Sequence, residues 1–148
     1  MICGVIAMTN SVWSCSTLFV VNSWPTRGMD PKNGNFAKLS ESEELKRVIP
    51  VIEKIRTDNP TILISIDTTK ASVAKHAVEA GADIINDVSG LSFDNNMIGI
   101  VESFNIPVVI MHMKGNPQNM QLNPEYEDIV NEILDFFKMK IKVAVQSG

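Results

Sequence analysis

The sequence predicts an α/β fold in which a parallel sheet is covered by amphipathic helices. Two observations predict it. Three short, near-continuous apolar runs, at residues 61–67, 83–88 and 107–113, alternate with segments whose apolar residues recur at helical spacing. Runs of that kind belong to strands buried on both faces, which means parallel pairing through crossover helices. The runs start 22 and 24 residues apart, the length of one βα unit.

The elements follow in order. T-L-F-V-V (17–21) reads as a strand, and G-V-I-A-M (4–8) as a degenerate first one. Only residues 9–16 separate them, and a parallel crossover needs about a dozen or more. Residues 1–16 are therefore read as an irregular N-terminal segment and 17–148 as one domain. Ser40 and Glu43 form an S-x-x-E capping box at the start of a helix. Leu45, Val48, Ile49, Ile52 and Ile55 stripe that helix up to a stop at Asn59-Pro60. After the strand T-I-L-I-S-I-D (61–67), a helix carries Val73, Ala74, Ala77 and Val78, with Gly81 as its C′ residue. The strand D-I-I-N-D-V (83–88) precedes a helix striped by Met97, Ile100, Val101 and Phe104. P-V-V-I-M-H-M (107–113) is the last strand. The final helix is expected to open with Asn123 as N-cap and Pro124 at N1, with Tyr126, Ile129, Val130, Ile133, Leu134, Phe137 and Ile141 as its apolar positions.

Composition removes several function classes. A net charge of −4 over 148 residues offers no basic face for nucleic acid. Cys3 and Cys15 are too few for a disulfide framework and read as reduced thiols. The apolar first 24 residues are broken by Thr9, Asn10, Ser11, Ser14 and Ser16, so no membrane span is expected. The first basic residue is Arg27, which leaves a signal peptide without its n-region. A cytoplasmic protein is the expectation, with an organelle open if a transit segment precedes Met1.

In parallel α/β folds ligands sit beyond the C-terminal ends of the strands. Those ends carry Asp67 with Thr68, Asn86 with Asp87, and His112 between Met111 and Met113. Packing gives an apolar strand no reason to end on a carboxylate or carboxamide, and burying either without partners costs a few kcal/mol. A helix N-cap or loop anchor is one explanation. Ligand binding is the other, and adjacent strands ending in Asp67 and Asn86 favour it. The carboxylate accepts hydrogen bonds and the carboxamide both donates and accepts, which suits a flat heterocycle rich in ring nitrogens and amino groups. The polarizable thioether of Met111 could pack on such a ring. His112 faces opposite to Met111 and is expected to point to the helix layer. His76, beside Lys75 and Glu79, reads as solvated. No His/Cys cluster has metal-ligand spacing.

At these residues the sequence resembles a known family. I-S-I-D-T-T-K (64–70), G-A-D-I-I-N-D-V-S-G (81–90) and M-H-M-K-G-N-P-Q-N-M-Q (111–121) resemble three consecutive signatures of dihydropteroate synthase. E-E-L-K-R-V-I-P-V-I (43–52) resembles the helix before them. The third string separates this family from the pterin-dependent methyltransferases that share its barrel. The resemblance implies part of a TIM (β/α)8 barrel, about strands 2 to 5 with their helices, since a whole barrel takes about 250 residues. It implies a transferase that condenses 6-hydroxymethyl-7,8-dihydropterin diphosphate with 4-aminobenzoate in folate biosynthesis, assisted by Mg²⁺.

By resemblance, Asp67 and Asn86 would hold the pterin while Val88 and Met111 pack on it. S-W-P-T-R-G (23–28) resembles an altered form of the family's G-G-E-S-T-R-P-G loop. Thr26 and Arg27 would meet the aminobenzoate and the diphosphate, whereas Asn22, Ser23, Trp24 and Pro25 depart from the pattern. In G-V-I-A-M-T-N-S-V-W-S (4–14) the family's metal-contacting Asn falls on Ala7, which offers no oxygen ligand. The family's D-P-G-x-G-F string, its S-R-K lysine and its last-strand Arg and His would follow residue 148. Catalysis by this chain alone is therefore not expected. A non-catalytic pterin-binding or regulatory partner of a full-length synthase is the alternative. With both sheet edges unpaired and Ile64, Ile66, Ile85 and Val109 expected on an uncovered inner face, self-association is expected too, a homodimer included.

Overall fold

Ser40 starts the first helix in the manner its spacing predicts. Its Oγ accepts the Glu43 amide at 3.3 Å, and Glu43 Oε2 accepts the Ser40 amide at 3.1 Å, so two orphan donors are satisfied reciprocally. The computed structural model describes residues 18–22, 39–115 and 125–147. Its elements are β1 (Leu18–Asn22), α1 (Glu41–Asp58), β2 (Leu63–Asp67), α2 (Ala71–Glu79), β3 (Ile84–Asp87), α3 (Met97–Phe104), β4 (Val108–Ile110) and α4 (Ile129–Ser147).

The four strands form one parallel sheet in the order β1-β2-β3-β4. Val48 and Ile52 of α1, Val73, Ala74 and Ala77 of α2, and Met97 of α3 pack with Ile64, Ile66, Ile85, Val108 and Ile110 in one core. Helices on a single face, with βα units in sequential order, make this a segment of a (β/α)8 barrel rather than a doubly wound sheet.

The phase of the strands corrects one expectation. Ile64, Ile66 and Ile85 are 0% exposed and face the helices. The face away from the helices carries Leu63 and Ser65 of β2, Ile84 of β3 and Val109 of β4, because side chains alternate along a strand. On the same face of β1, Leu18 and Val20 are 48% and 53% exposed. Of the four residues expected there, only Val109 shares that face.

The helix termini follow from local chemistry. Gly81, at φ +115°, closes α2 with two bonds: Ala82 N–H to Ala77 O at 2.9 Å and Gly81 N–H to Val78 O at 3.0 Å. That pattern satisfies orphan carbonyls through a residue of positive φ, where glycine carries no Cβ penalty. The start of α2 is served from a distance, the Ala71 amide donating to Asp94 Oδ2 at 2.8 Å. Pro50 lies inside α1 on its exposed side, where water can satisfy the carbonyl it leaves unpaired. The last helix begins at Ile129 instead of near Pro124, with residues 125–128 outside it. Asp128 makes the cap there, its Oδ1 accepting the Asn131 amide at 3.1 Å. Asn123 and Pro124 lie outside the described residues, and Tyr126 precedes the helix.

The N-terminal ends of the strands are tied by one arginine. Arg56 donates to Pro60 O and Ile62 O at 2.8 Å each, to Gly81 O at 2.7 Å, and to Asp83 Oδ2 at 2.5 Å. Asp83 Oδ2 also accepts the Ile64 amide at 2.8 Å. A single guanidinium fork thus joins the α1–β2 and α2–β3 turns. Among the described residues, no helix is long and apolar enough to cross a membrane.

Candidate functional site

The opposite ends of the strands carry the polar residues. Parallel register sets Asn22 beside Asp67 and Asp67 beside Asn86, so three polar side chains stand in one row near the C-terminal ends of three neighbouring strands. Asp67 shares its face with Leu63 and Ser65, and Asn86 shares its face with Ile84, by the alternation of β2 and β3. The row therefore lies on the face of the sheet away from the described helices. Asp67 and Asn86 are both half-buried, and Oδ1 of Asp67 is shut off from solvent. Val109 stands beside Asn86 on β4, and Met111 and Val88, both half-buried, follow just past their strands.

The residues one step along each strand do structural work. Thr68 is 0% exposed. Its hydroxyl donates to Glu44 Oε2 at 3.4 Å and accepts the Lys70 amide at 3.2 Å, while its own amide donates to Asn86 O at 3.1 Å. Lys70 donates to Glu44 Oε1 and to Leu39 O at 2.5 Å each. Asp87, also 0% exposed, accepts the Ser89 amide on Oδ1 at 2.8 Å and the Leu91 amide on Oδ2 at 3.0 Å. Burial pushes the Asp87 carboxyl above the usual carboxylate range, against the bonds from Ser89 and Leu91. So Asp67 and Asn86 lie on the face away from the helices while Thr68 and Asp87 anchor the turns behind it.

His112 lies on the helix side, as alternation predicts. Its ring meets Phe136 edge-on at 5.0 Å between centroids and Tyr126 at 6.0 Å. Lys114 donates to Glu132 Oε2 at 3.0 Å and to the Glu125 carbonyl, with its ammonium 4.3 Å from the Tyr126 ring centroid. His76 is exposed, its Nδ1 2.8 Å from Ser72 O. Among the described residues, no three His, Cys, Asp or Glu side chains converge as metal ligands do. Thr26, Arg27, Ala7 and both cysteines lie outside the described residues.

Asn22 is the residue the sequence reading passed over. It departs from the family's loop pattern, yet it ends β1 beside Asp67. The signal was the one used for Asp67 and Asn86, an apolar run that stops on a polar side chain.

This arrangement can be compared with known proteins. Residues 28–148 match the family described as pterin binding enzyme. The chain belongs to that family. The pterin-binding enzyme segment is 41% identical over 110 residues to the dihydropteroate synthase of Synechocystis, covering 74% of this chain and 38% of that protein. It is 47% identical over 111 residues to the folic acid synthesis protein fol1 of Schizosaccharomyces pombe, covering 74% of this chain and 15% of that one. The crystal structure of the Yersinia pestis dihydropteroate synthase with a sulfonamide drug complex superposes with a TM-score of 0.78 at 36% identity. That match covers 89% of this chain and 45% of the other. The chain thus spans less than half the length of each of these relatives.

The partly buried histidine gives a pH prediction. Burial holds the His112 ring below its ordinary pKa of 6.5, with Glu132 opposing. The unfolded chain therefore takes up a proton before the folded one does. The stability that goes with the neutral ring is complete above about pH 6.5 and is lost as pH falls through the folded value. Asp87, whose folded pKa is raised, runs the other way and loses stability as pH rises. The comparison must therefore isolate His112. Between about pH 7.5 and pH 5.5, the thermal midpoint by circular dichroism should fall further in the wild-type chain than in His112→Phe. Equal falls would show that the ring carries no such linkage.

Proposed function

We propose that this chain carries the pterin-binding half of a dihydropteroate synthase barrel. The observation that supports this best is the parallel register that sets Asp67 and Asn86 side by side on the face away from the helices. Asp67 accepts hydrogen bonds from the amino and ring N–H groups of the pterin, and Asn86 matches its mixed donor and acceptor edge. Val88 and Met111 pack on the ring. Thr26 and Arg27 meet 4-aminobenzoate and the diphosphate.

In the complete barrel the reaction is condensation of 4-aminobenzoate with 6-hydroxymethyl-7,8-dihydropterin diphosphate, within folate biosynthesis in the cytoplasm. Neutralising the departing diphosphate is the main electrostatic task of such a reaction. Lys70 and Lys114, the two described lysines that follow strand ends, are already held by Glu44 and Glu132. The described residues therefore form a pterin-binding unit, and the cation assigned to the diphosphate is Arg27. Mg²⁺ would reach the site on the diphosphate. The side chain of Ala7, which stands where the family has Asn, offers it no oxygen ligand.

Binding tests the reading. Removing one partner of a hydrogen bond to a polar ring costs about 1–3 kcal/mol, so Asn86→Ala should weaken 6-hydroxymethylpterin binding roughly tenfold or more. His112→Ala, on the helix side, should weaken it much less. Calorimetry that gives equal losses for the two variants would remove the assignment of faces.

Self-association belongs to the same proposal. Among the described residues β4 pairs with β3 alone, which leaves it an edge that can take another strand. Leu18 and Val20 add exposed apolar surface on the ligand face. Light scattering of the 148-residue chain at micromolar concentration should report a dimer or larger species. A stable monomer of 16.3 kDa would contradict this.

A further inference from the structure

The turn after β3 is held from outside the sheet by α4. Asp87 accepts the Ser89 and Leu91 amides, and Ser89 Oγ accepts the amides of Ser92 and Phe93 at 3.2 Å each. This closes residues 87–93 so tightly that Gly90 and Leu91 both sit at φ +60°. Glycine tolerates that conformation and leucine does not, so the turn persists only where its surroundings enforce it.

Two residues of α4 supply that enforcement. Lys140 Nζ donates to Ser92 Oγ at 2.8 Å and to Leu91 O at 3.3 Å, across 48 and 49 residues of sequence. The Phe136 ring presses on Gly90, where a Cβ would come 2.7 Å from its Cζ and 2.8 Å from Met111 O. Gly90 is thus gripped between α4 and the backbone that leaves β4. No residue of α4 is fully buried. A lysine on so exposed a helix ordinarily extends its ammonium into water, but here it turns inward to a loop carbonyl.

We propose that α4 is a positioning element for the pterin row: Lys140 and Phe136 clamp the 88–92 turn against the Met111 backbone, fixing Asn86 and Val88 relative to Met111. The clamp ties the ends of β3 and β4, the two strands that bring the carboxamide and the two apolar ring contacts. Lys140 and Phe136 touch no ligand. They act through the turn, and small misplacements of a binding group are costly.

The proposal rests on the pterin reading for its functional arm, so the experiment has two readouts. Lys140→Met keeps the unbranched stem, one atom shorter, and removes the donor, while Lys140→Arg restores a donor. In Lys140→Met, hydrogen exchange at the Ser89 and Leu91 amides should quicken roughly fivefold or more as the turn opens locally. The Thr68 amide, bonded across β2 and β3, should be unaffected. Affinity for 6-hydroxymethylpterin should fall about three- to tenfold, and Lys140→Arg should recover both readouts. Unchanged exchange and affinity in Lys140→Met, or losses that arginine does not recover, would overturn the clamp. A wild-type chain that takes up no pterin would instead overturn the functional reading, and the positioning role with it.

Discussion

Side chains alternate across a strand, and parallel pairing carries that alternation from one strand to the next. In this sheet the register makes Asp67 the partner of Asn86, and Ile66 the partner of Ile85. Every other feature of the site depends on it. Ile64, Ile66, Ile85, Val108 and Ile110 all turn to the helices, and the residues between them turn away. A slip of one residue in β2 would drive the Asp67 carboxylate into the core beside Val73 and Ala77 and expel Ile66. Burying that carboxylate without partners costs several kcal/mol, and a lost isoleucine contact adds about 1.5–3 kcal/mol. The ligand row and the core are therefore specified by the same pairing.

The two ends of the sheet divide the labour. At the N-terminal end the Arg56 fork and Asp83 satisfy turn carbonyls and a strand amide, and their products are order and stability. At the C-terminal end the buried polar groups, Thr68, Asp87 and Ser89, spend their bonds on the turns behind the row. That leaves the other side of the same strand ends to recognition. The pattern is the general one of βα barrels, in which ligands meet the C-terminal ends of the strands.

What was legible in the sequence was local. Ser40 and Glu43, Asn59 after α1, and Gly81 after α2 announce their roles within four residues, because capping and positive φ are short-range chemistry. The polar strand ends were legible for the same reason. Contacts across long stretches of chain were not. Arg56 reaches Asp83 across 27 residues, Asp94 caps α2 from 23 residues away, and Lys140 meets Leu91 from a separate helix. No spacing rule encodes these. The phase of the sheet was misread in part: Ile64, Ile66 and Ile85 were expected on the inner face, although Asp67 and Asn86 already required the opposite. The start of α4 was placed too early because Asn123-Pro124 forms a plausible helix start and Asp128 a better one. Thr26, Arg27 and Ala7 fall outside the described residues, so their assignment still rests on resemblance alone.

The division of the sheet into a covered face and a ligand face is the central claim, and methyl NMR tests it most directly. Intermolecular Overhauser contacts would be measured between bound 6-hydroxymethylpterin and a methyl-labelled 148-residue chain. The account predicts contacts from the pterin to the methyls of Val88 and Met111, and none to those of Ile64, Ile66 or Ile85. Contacts to the helix-side isoleucines, with Val88 and Met111 silent, would contradict it.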